Sequence, residues 1–160
     1  MLDSQRLKHG THGAANDGLA DLLIGMPQDA ASTNPGGAFL VYGKANSTTG
    51  SLAEYQKDIS TLATTPDALS ITSTFDTAGF SVSSAGDVNG DGLSDVIVSA
   101  NGALTTGDGA AYVILGGATG GDMNALVTAG KGFKITGLTN STGFHLGTSV
   151  STAGDVNGDG

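Results

Sequence analysis

Three β-branched residues in a row, Val96, Ile97 and Val98, lie in an apolar run that ends at Ala100, and a stretch rich in Gly, Asp and Asn stands directly before it. β-branched side chains fit a pleated surface, and Gly/Asp/Asn clusters punctuate strands, so the pattern predicts a strand over Asp95–Ala100 with a turn in front of it. A second strand, Phe80–Ala85, precedes the turn and makes the unit a β-hairpin. Side chains alternate along a strand, which sends Val96 and Val98 to one face and Ile97 to the other. Apolar residues on both faces indicate a sheet that is covered on both sides.

The same patterning recurs along the chain. GGAFLVYGKA (Gly36–Ala45) parallels GAAYVILGGA (Gly109–Ala118), and both read as buried strands that end at glycine. ALSITST (Ala68–Thr74) parallels GFKITGL (Gly132–Leu138) more loosely. GFSVSSAGDVNGDG, from Gly79, returns as GTSVSTAGDVNGDG, from Gly147, at a spacing of 68 residues with 12 of 14 positions identical. An eroded copy, NDGLADLLIGMP (Asn16–Pro27), parallels GDGLSDVIVSAN (Gly90–Asn101). The chain is thus a repeat of about four short strands, an all-β architecture such as propeller blades. Two segments fall outside the strands. SLAEYQKDISTL (Ser51–Leu62) spaces Leu52, Tyr55, Ile59 and Leu62 by 3, 4 and 3 and predicts a short amphipathic helix packed on the sheet. GGATGGDMN (Gly116–Asn124) reads as a loop.

The turn before Asp95 carries the chemistry. Asp87, Asn89, Asp91 and Asp95 stand at relative positions 1, 3, 5 and 9, and the nearest basic residues in sequence are Lys57 and Lys131. Gly90 and Gly92 let the backbone curl, since glycine enters positive φ without steric cost. One reading is an Asx-rich turn that binds nothing. The other is an oxygen-lined cation site: Ca²⁺ takes roughly six to eight oxygen ligands and tolerates irregular geometry, whereas Mg²⁺ wants a stricter octahedron. The absence of Cys from the chain, and of His near the loop, argues against Zn²⁺ at this position. An EF-hand would need an acid at position 12 and a helix; position 12 is Val98, in a strand. The ninth-position Asp and the repetition favour the calcium reading over the bare turn.

With these residues in view, the pattern resembles the FG-GAP repeat of the integrin α-subunit β-propeller, and most closely its bacterial secreted and surface versions. The FG end is degenerate, as Gly79-Phe80 and Gly147-Thr148; the GAP end stands as Gly25-Met26-Pro27 and Ser99-Ala100-Asn101. The resemblance runs over nearly all of residues 13–160. It implies four-stranded blades with Ca²⁺ in the loop between the first and second strands. Its ligands would be the side chains of Asp87, Asn89, Asp91 and Asp95 and the backbone carbonyl of Leu93. A further copy would use Asp155, Asn157 and Asp159, with its later positions absent. In the eroded copy Asp17 and Asp21 remain, while Gly13 and Ala15 replace the first two ligands.

The resemblance divides the chain into an unmatched, poorly ordered N-terminus (1–12), a partial blade (13–78), a complete blade (79–146) and the start of another (147–160). The expectation is a fragment of a longer propeller, with an apolar face left uncovered. The net charge is −9, and seven of the 15 acids lie in the three loop copies. Such acidity argues against nucleic acid as a partner. No run approaches the length of a membrane span, no signal peptide is visible, and the lack of Cys excludes disulfides. Histidines stand at His9, His12 and His145, with no nucleophile elbow among the serines; His145 reads as a rim residue. The expectation is a non-catalytic, extracellular or cell-surface module for binding or adhesion, with a protein or glycan ligand and neighbouring blades as partners. The rival expectation is an accessory propeller segment of a larger secreted hydrolase whose catalytic domain lies elsewhere.

Overall fold

The structure, a computed structural model, describes residues 19–28, 35–43, 58, 61, 68–73, 77–102, 108–137 and 145–158. It is all-β with one short helix among the described residues. The strands are β1 (Leu22–Met26), β2 (Gly36–Val41), β3 (Ala68–Ser73), β4 (Ala78–Gly86), β5 (Asp95–Ala100), β6 (Ala110–Ile114), β7 (Gly121–Asp122) and β8 (Gly132–Thr136), with helix α1 (Met123–Thr128) between the last two. They form two four-stranded sheets, in the orders β1-β2-β3-β7 and β4-β5-β6-β8. The second sheet is antiparallel throughout, each strand pairing with the next one in its order. β1, β2 and β3 repeat three of those strands. The unmatched N-terminus (1–12) lies outside the described residues, as does the predicted helix over Ser51–Leu62 apart from Asp58 and Thr61.

The alternation read from the sequence sets the core. Val82, Val98 and Tyr112 are register partners across three strands, as are Val96 and Ile114. This face meets Ala38 and Ile71 of the first sheet and Met123 and Leu126 of α1. Val98, Ile71 and Met123 are fully buried, and Ile97, on the other face, is partly so. Burying each large apolar side chain is worth about 1.5–3 kcal/mol. On the opposite face of the second sheet, Phe133 and Ile135 of β8 remain exposed.

The expected loop at Gly116–Asn124 is more structured than its composition indicates. Gly121 and Asp122 pair in parallel with Ile71 and Thr72, so this excursion from the second sheet adds a short strand to the edge of the first. Asp122 then caps α1: its Oδ1 accepts from the Asn124 and Ala125 amides at 3.0 and 3.1 Å. A carboxylate that satisfies the first amide donors is what lets so short a helix start. Asp122 followed by apolar Met123, Leu126 and Val127 is a cap-plus-face signal that the glycine-rich context hides.

Serines make the irregular pairing of β4 and β5 tolerable. The register shifts between Ala78 and Val82, and there the Ser81 amide donates to Ser99 Oγ at 2.8 Å. Ser99 is fully buried, and its hydroxyl replaces a ladder acceptor. Ser81 Oγ in turn accepts from the Val150 amide at 3.0 Å. Residues 146–150 therefore lie against the second sheet, where Leu146 forms a bridge with Gly109.

Candidate metal centre

The loop between β4 and β5 is built by its own polar side chains. Gly86, Gly90 and Gly92 have φ of 77°, 73° and 85°. An added Cβ at any of the three would meet nothing within 4 Å, so backbone conformation alone calls for glycine there. Asp87 Oδ1 accepts from the amides of Gly90 (2.8 Å) and Asp91 (3.1 Å), and its Oδ2 accepts from Gly92 (2.8 Å). Asn89 Oδ1 accepts from the Asp91 amide at 3.0 Å, and Asn89 Nδ2 donates to Asp91 Oδ2 at 2.8 Å. Asp91 Oδ1 accepts from the Leu93 amide at 2.8 Å. These are short-range Asx bonds, each spanning two to five residues, and they wrap the backbone around three oxygen-bearing side chains. Asp87, Asn89 and Asp91 are all exposed, and Leu93 is half-buried.

Asp95 differs from its neighbours. It is fully buried at the start of β5. Its Oδ2 accepts from the Val88 amide at 2.8 Å, and its Oδ1 accepts from the Gly116 amide at 2.7 Å. Gly116 must be small: an added Cβ would come within 2.5 Å of Leu93 Cβ and 3.0 Å of the Ser94 carbonyl oxygen.

The later copy forms the same turn. Asp155 Oδ1 accepts from the Gly158 amide at 2.7 Å, the counterpart of the Asp87–Gly90 bond. The Gly154 amide meets Thr152 Oγ1 at 3.2 Å just as Gly86 meets Ser84 Oγ at 3.2 Å. Asn157 is exposed in this loop; Asp159 lies outside the described residues. In the eroded copy Asp21 Oδ1 accepts from the Gly43 amide at 2.8 Å, and Asp17 lies outside the described residues. His145 directs Nδ1 to the Asn101 carbonyl at 3.4 Å and is exposed beside the sheet; His9 and His12 lie outside the described residues.

The donor set suits a hard cation. It is all oxygen, on a curled and exposed loop, and a carboxylate oxygen bonded to one N–H retains a second lone pair. Among the described residues, no three carboxylate, His or Cys side chains converge to hold a metal ion. Asp87 and Asp91 supply two carboxylates at the surface, with Asn89 between them and Asp95 beneath. Full ligation by this loop therefore has to draw on the Asn89 amide and the Leu93 carbonyl as well as on carboxylates.

No curated protein and no solved structure matches the chain. The family model for the FG-GAP repeat matches residues 78–114. Those bounds coincide with the first residue of β4 and the last of β6, so the matched unit is three strands and the Asp87–Asp95 loop between the first two. Residues 78–114 thus match an FG-GAP repeat, and the loop just described lies within that match.

Proposed function

We propose that the chain is a calcium-binding β-propeller module for extracellular binding or cell adhesion, with no catalytic task of its own. One observation supports the reading above others: Asp87, Asn89 and Asp91 stand exposed on a backbone curled by their own hydrogen bonds. The side chains of those three residues would hold Ca²⁺, with the Leu93 carbonyl and the Asp95 carboxylate completing the set. Asp155 and Asn157, with Asp159, would form the equivalent loop of the next repeat. Bound Ca²⁺ supplies positive charge that offsets repulsion among the carboxylates and stiffens the loop. A site without a bidentate Glu falls at the weak end of calcium affinities, on the order of 10⁻⁵–10⁻³ M. Such an affinity suits an extracellular setting, and the loop and sheet edges would then face a protein or glycan ligand.

Titration calorimetry tests the metal. Wild-type protein is expected to take up Ca²⁺ with an affinity in that range, and Asp87→Ala to bind more weakly. Equal heats in the two proteins would remove Asp87 from the ligand set. Retention of the labelled chain on glycan or matrix-protein surfaces in Ca²⁺, and its release by EDTA, tests the adhesive role. Indifference of every surface to the chain would leave a structural spacer.

A further inference from the structure

We propose that the ninth-position aspartate of each repeat, Asp95 and its counterpart Asp21, is a metal-independent clamp that pins the end of the repeat's third strand. The argument rests on one bond formed twice. Asp95 Oδ1 accepts from the Gly116 amide at 2.7 Å, and Asp21 Oδ1 accepts from the Gly43 amide at 2.8 Å. Gly43 and Gly116 occupy the same place in the two copies, two residues after the last residue of β2 and of β6. The bonds span 21 and 22 residues, so they belong to the tertiary fold rather than to the turn.

The two copies differ in the first two side-chain donors that a cation would need. Asp21 belongs to a repeat in which Gly13 and Ala15 stand where Asp87 and Asn89 would be. The first two side-chain donors are gone, and the clamp is still made. In the second copy the carboxylate does more. With Oδ1 on Gly116 and Oδ2 on the Val88 amide, Asp95 ties the start of the loop to the end of β6 from a fully buried position. A buried carboxylate is tolerated when charge-assisted bonds satisfy it, and two backbone N–H donors do so here. Asp95 is thus a positioning residue: it holds the loop in place before any ion arrives. An aspartate at this position therefore makes the clamp in both copies, with or without oxygen side chains at positions 1 and 3.

The clamp itself does not depend on the calcium reading, and the two can be separated in one experiment. Amide exchange is followed by NMR on the full ¹⁵N-labelled chain, in EDTA and again in millimolar Ca²⁺. In EDTA the Gly116 and Gly43 amides are expected to be protected. Asp95→Asn keeps one acceptor oxygen but turns an NH₂ toward the other donor. It is expected to speed exchange at Gly116 roughly tenfold or more and leave Gly43 unchanged. Asp21→Asn is expected to do the reverse. Should Asp95→Asn not fold, Asp21→Asn, at an exposed residue, decides the matter through Gly43. Protection at Gly116 that arises only on adding Ca²⁺ would overturn the proposal, as would unchanged exchange at each glycine in its own variant. Signals that ignore Ca²⁺ while Asp95→Asn still exposes Gly116 would refute the calcium site and uphold the clamp.

Discussion

Gly79, in β4, rests on the carbonyl oxygen of Gly37 in β2, so closely that a Cβ at residue 79 would overlap that oxygen and come within 3.0 Å of the Met26 amide nitrogen. The φ of Gly79 is 88°, already unfavourable for any side chain. Gly147 repeats the relationship: its φ is also 88°, and a Cβ there would meet the Ala110 carbonyl oxygen at 2.5 Å and Ser99 Cβ at 3.2 Å. Each glycine lets the segment opening one repeat lie on the sheet of the repeat before it. Gly79→Ala is therefore expected to cost about 2–4 kcal/mol, from a strained φ and a forced separation of the two sheets. Urea denaturation of both proteins measures it. A loss below about 0.5 kcal/mol, the range of ordinary surface changes, would show that the close approach is not needed.

Val98 sits fully buried between its register partners Val82 and Tyr112. Val98→Asp places a carboxylate there without a partner. The expected loss is several kcal/mol, about 3–5, and the variant is expected to populate its unfolded state at room temperature. Val98→Ala, which only removes methyl groups, is expected to lose less. Comparable circular-dichroism melts for wild type and Val98→Asp would mean that the face is hydrated.

Asn89 links to Asp91 through its Nδ2, at 2.8 Å from Asp91 Oδ2. Asn89→Asp exchanges that bond for repulsion between carboxylates. Without metal the variant is expected to melt lower than wild type. With Ca²⁺ the added charge is expected to tighten binding several-fold, since ligand charge count tunes affinity at such sites. Differential scanning calorimetry with and without Ca²⁺ tests both signs together. A variant less stable than wild type in both conditions by the same amount would argue that residue 89 does not face an ion.

Tyr42 titrates above the ordinary phenol value of 10.0, first because burial penalises the phenolate and second because the Asp21 carboxylate is near. The folded state therefore holds this proton more tightly than the unfolded chain does. The stabilisation is complete below the unfolded value and is lost as pH rises through the folded one. Stability is thus expected to decline above about pH 10, the unperturbed phenol value, and Tyr42→Phe is expected to lessen that decline. Ultraviolet titration of the phenolate, compared with melts across the same range, checks the direction. Ionisation of Tyr42 at the same pH in the folded and denatured protein would refute it.

Much of the repeat was legible in one dimension because its determinants are local. The β-branched run at Val96–Val98 predicts β5, and the Gly/Asp/Asn stretch before it predicts the turn. Asp87 finds its amide partners at Gly90, Asp91 and Gly92, within five residues. Side-chain alternation was enough to put Val96 and Val98 on one face and Ile97 on the other, and the packing of the two sheets made the first of these the core face. The predicted strands at Gly36–Ala45 and Gly109–Ala118 are shorter in the structure, closing at Val41 and Ile114. Beyond those residues the chain turns to meet Asp21 and Asp95, and no local signal shows that.

Tertiary structure alone decided the features that depend on where the chain returns. Asp95 reads in sequence as one more acid of a cation loop; its burial and its bond to Gly116, 21 residues later, exist because β6 ends beside it. Ser99 reads as a polar interruption in a strand and serves as the acceptor that fills a register shift. Gly121 and Asp122 read as loop and become a strand because the edge of β3 offers Ile71 and Thr72 as partners. Backbone torsion and near-neighbour hydrogen bonds are set by residue type within a turn or a strand. Which amide meets a carboxylate, and which glycine must admit a carbonyl oxygen, is set only when distant segments close on one another.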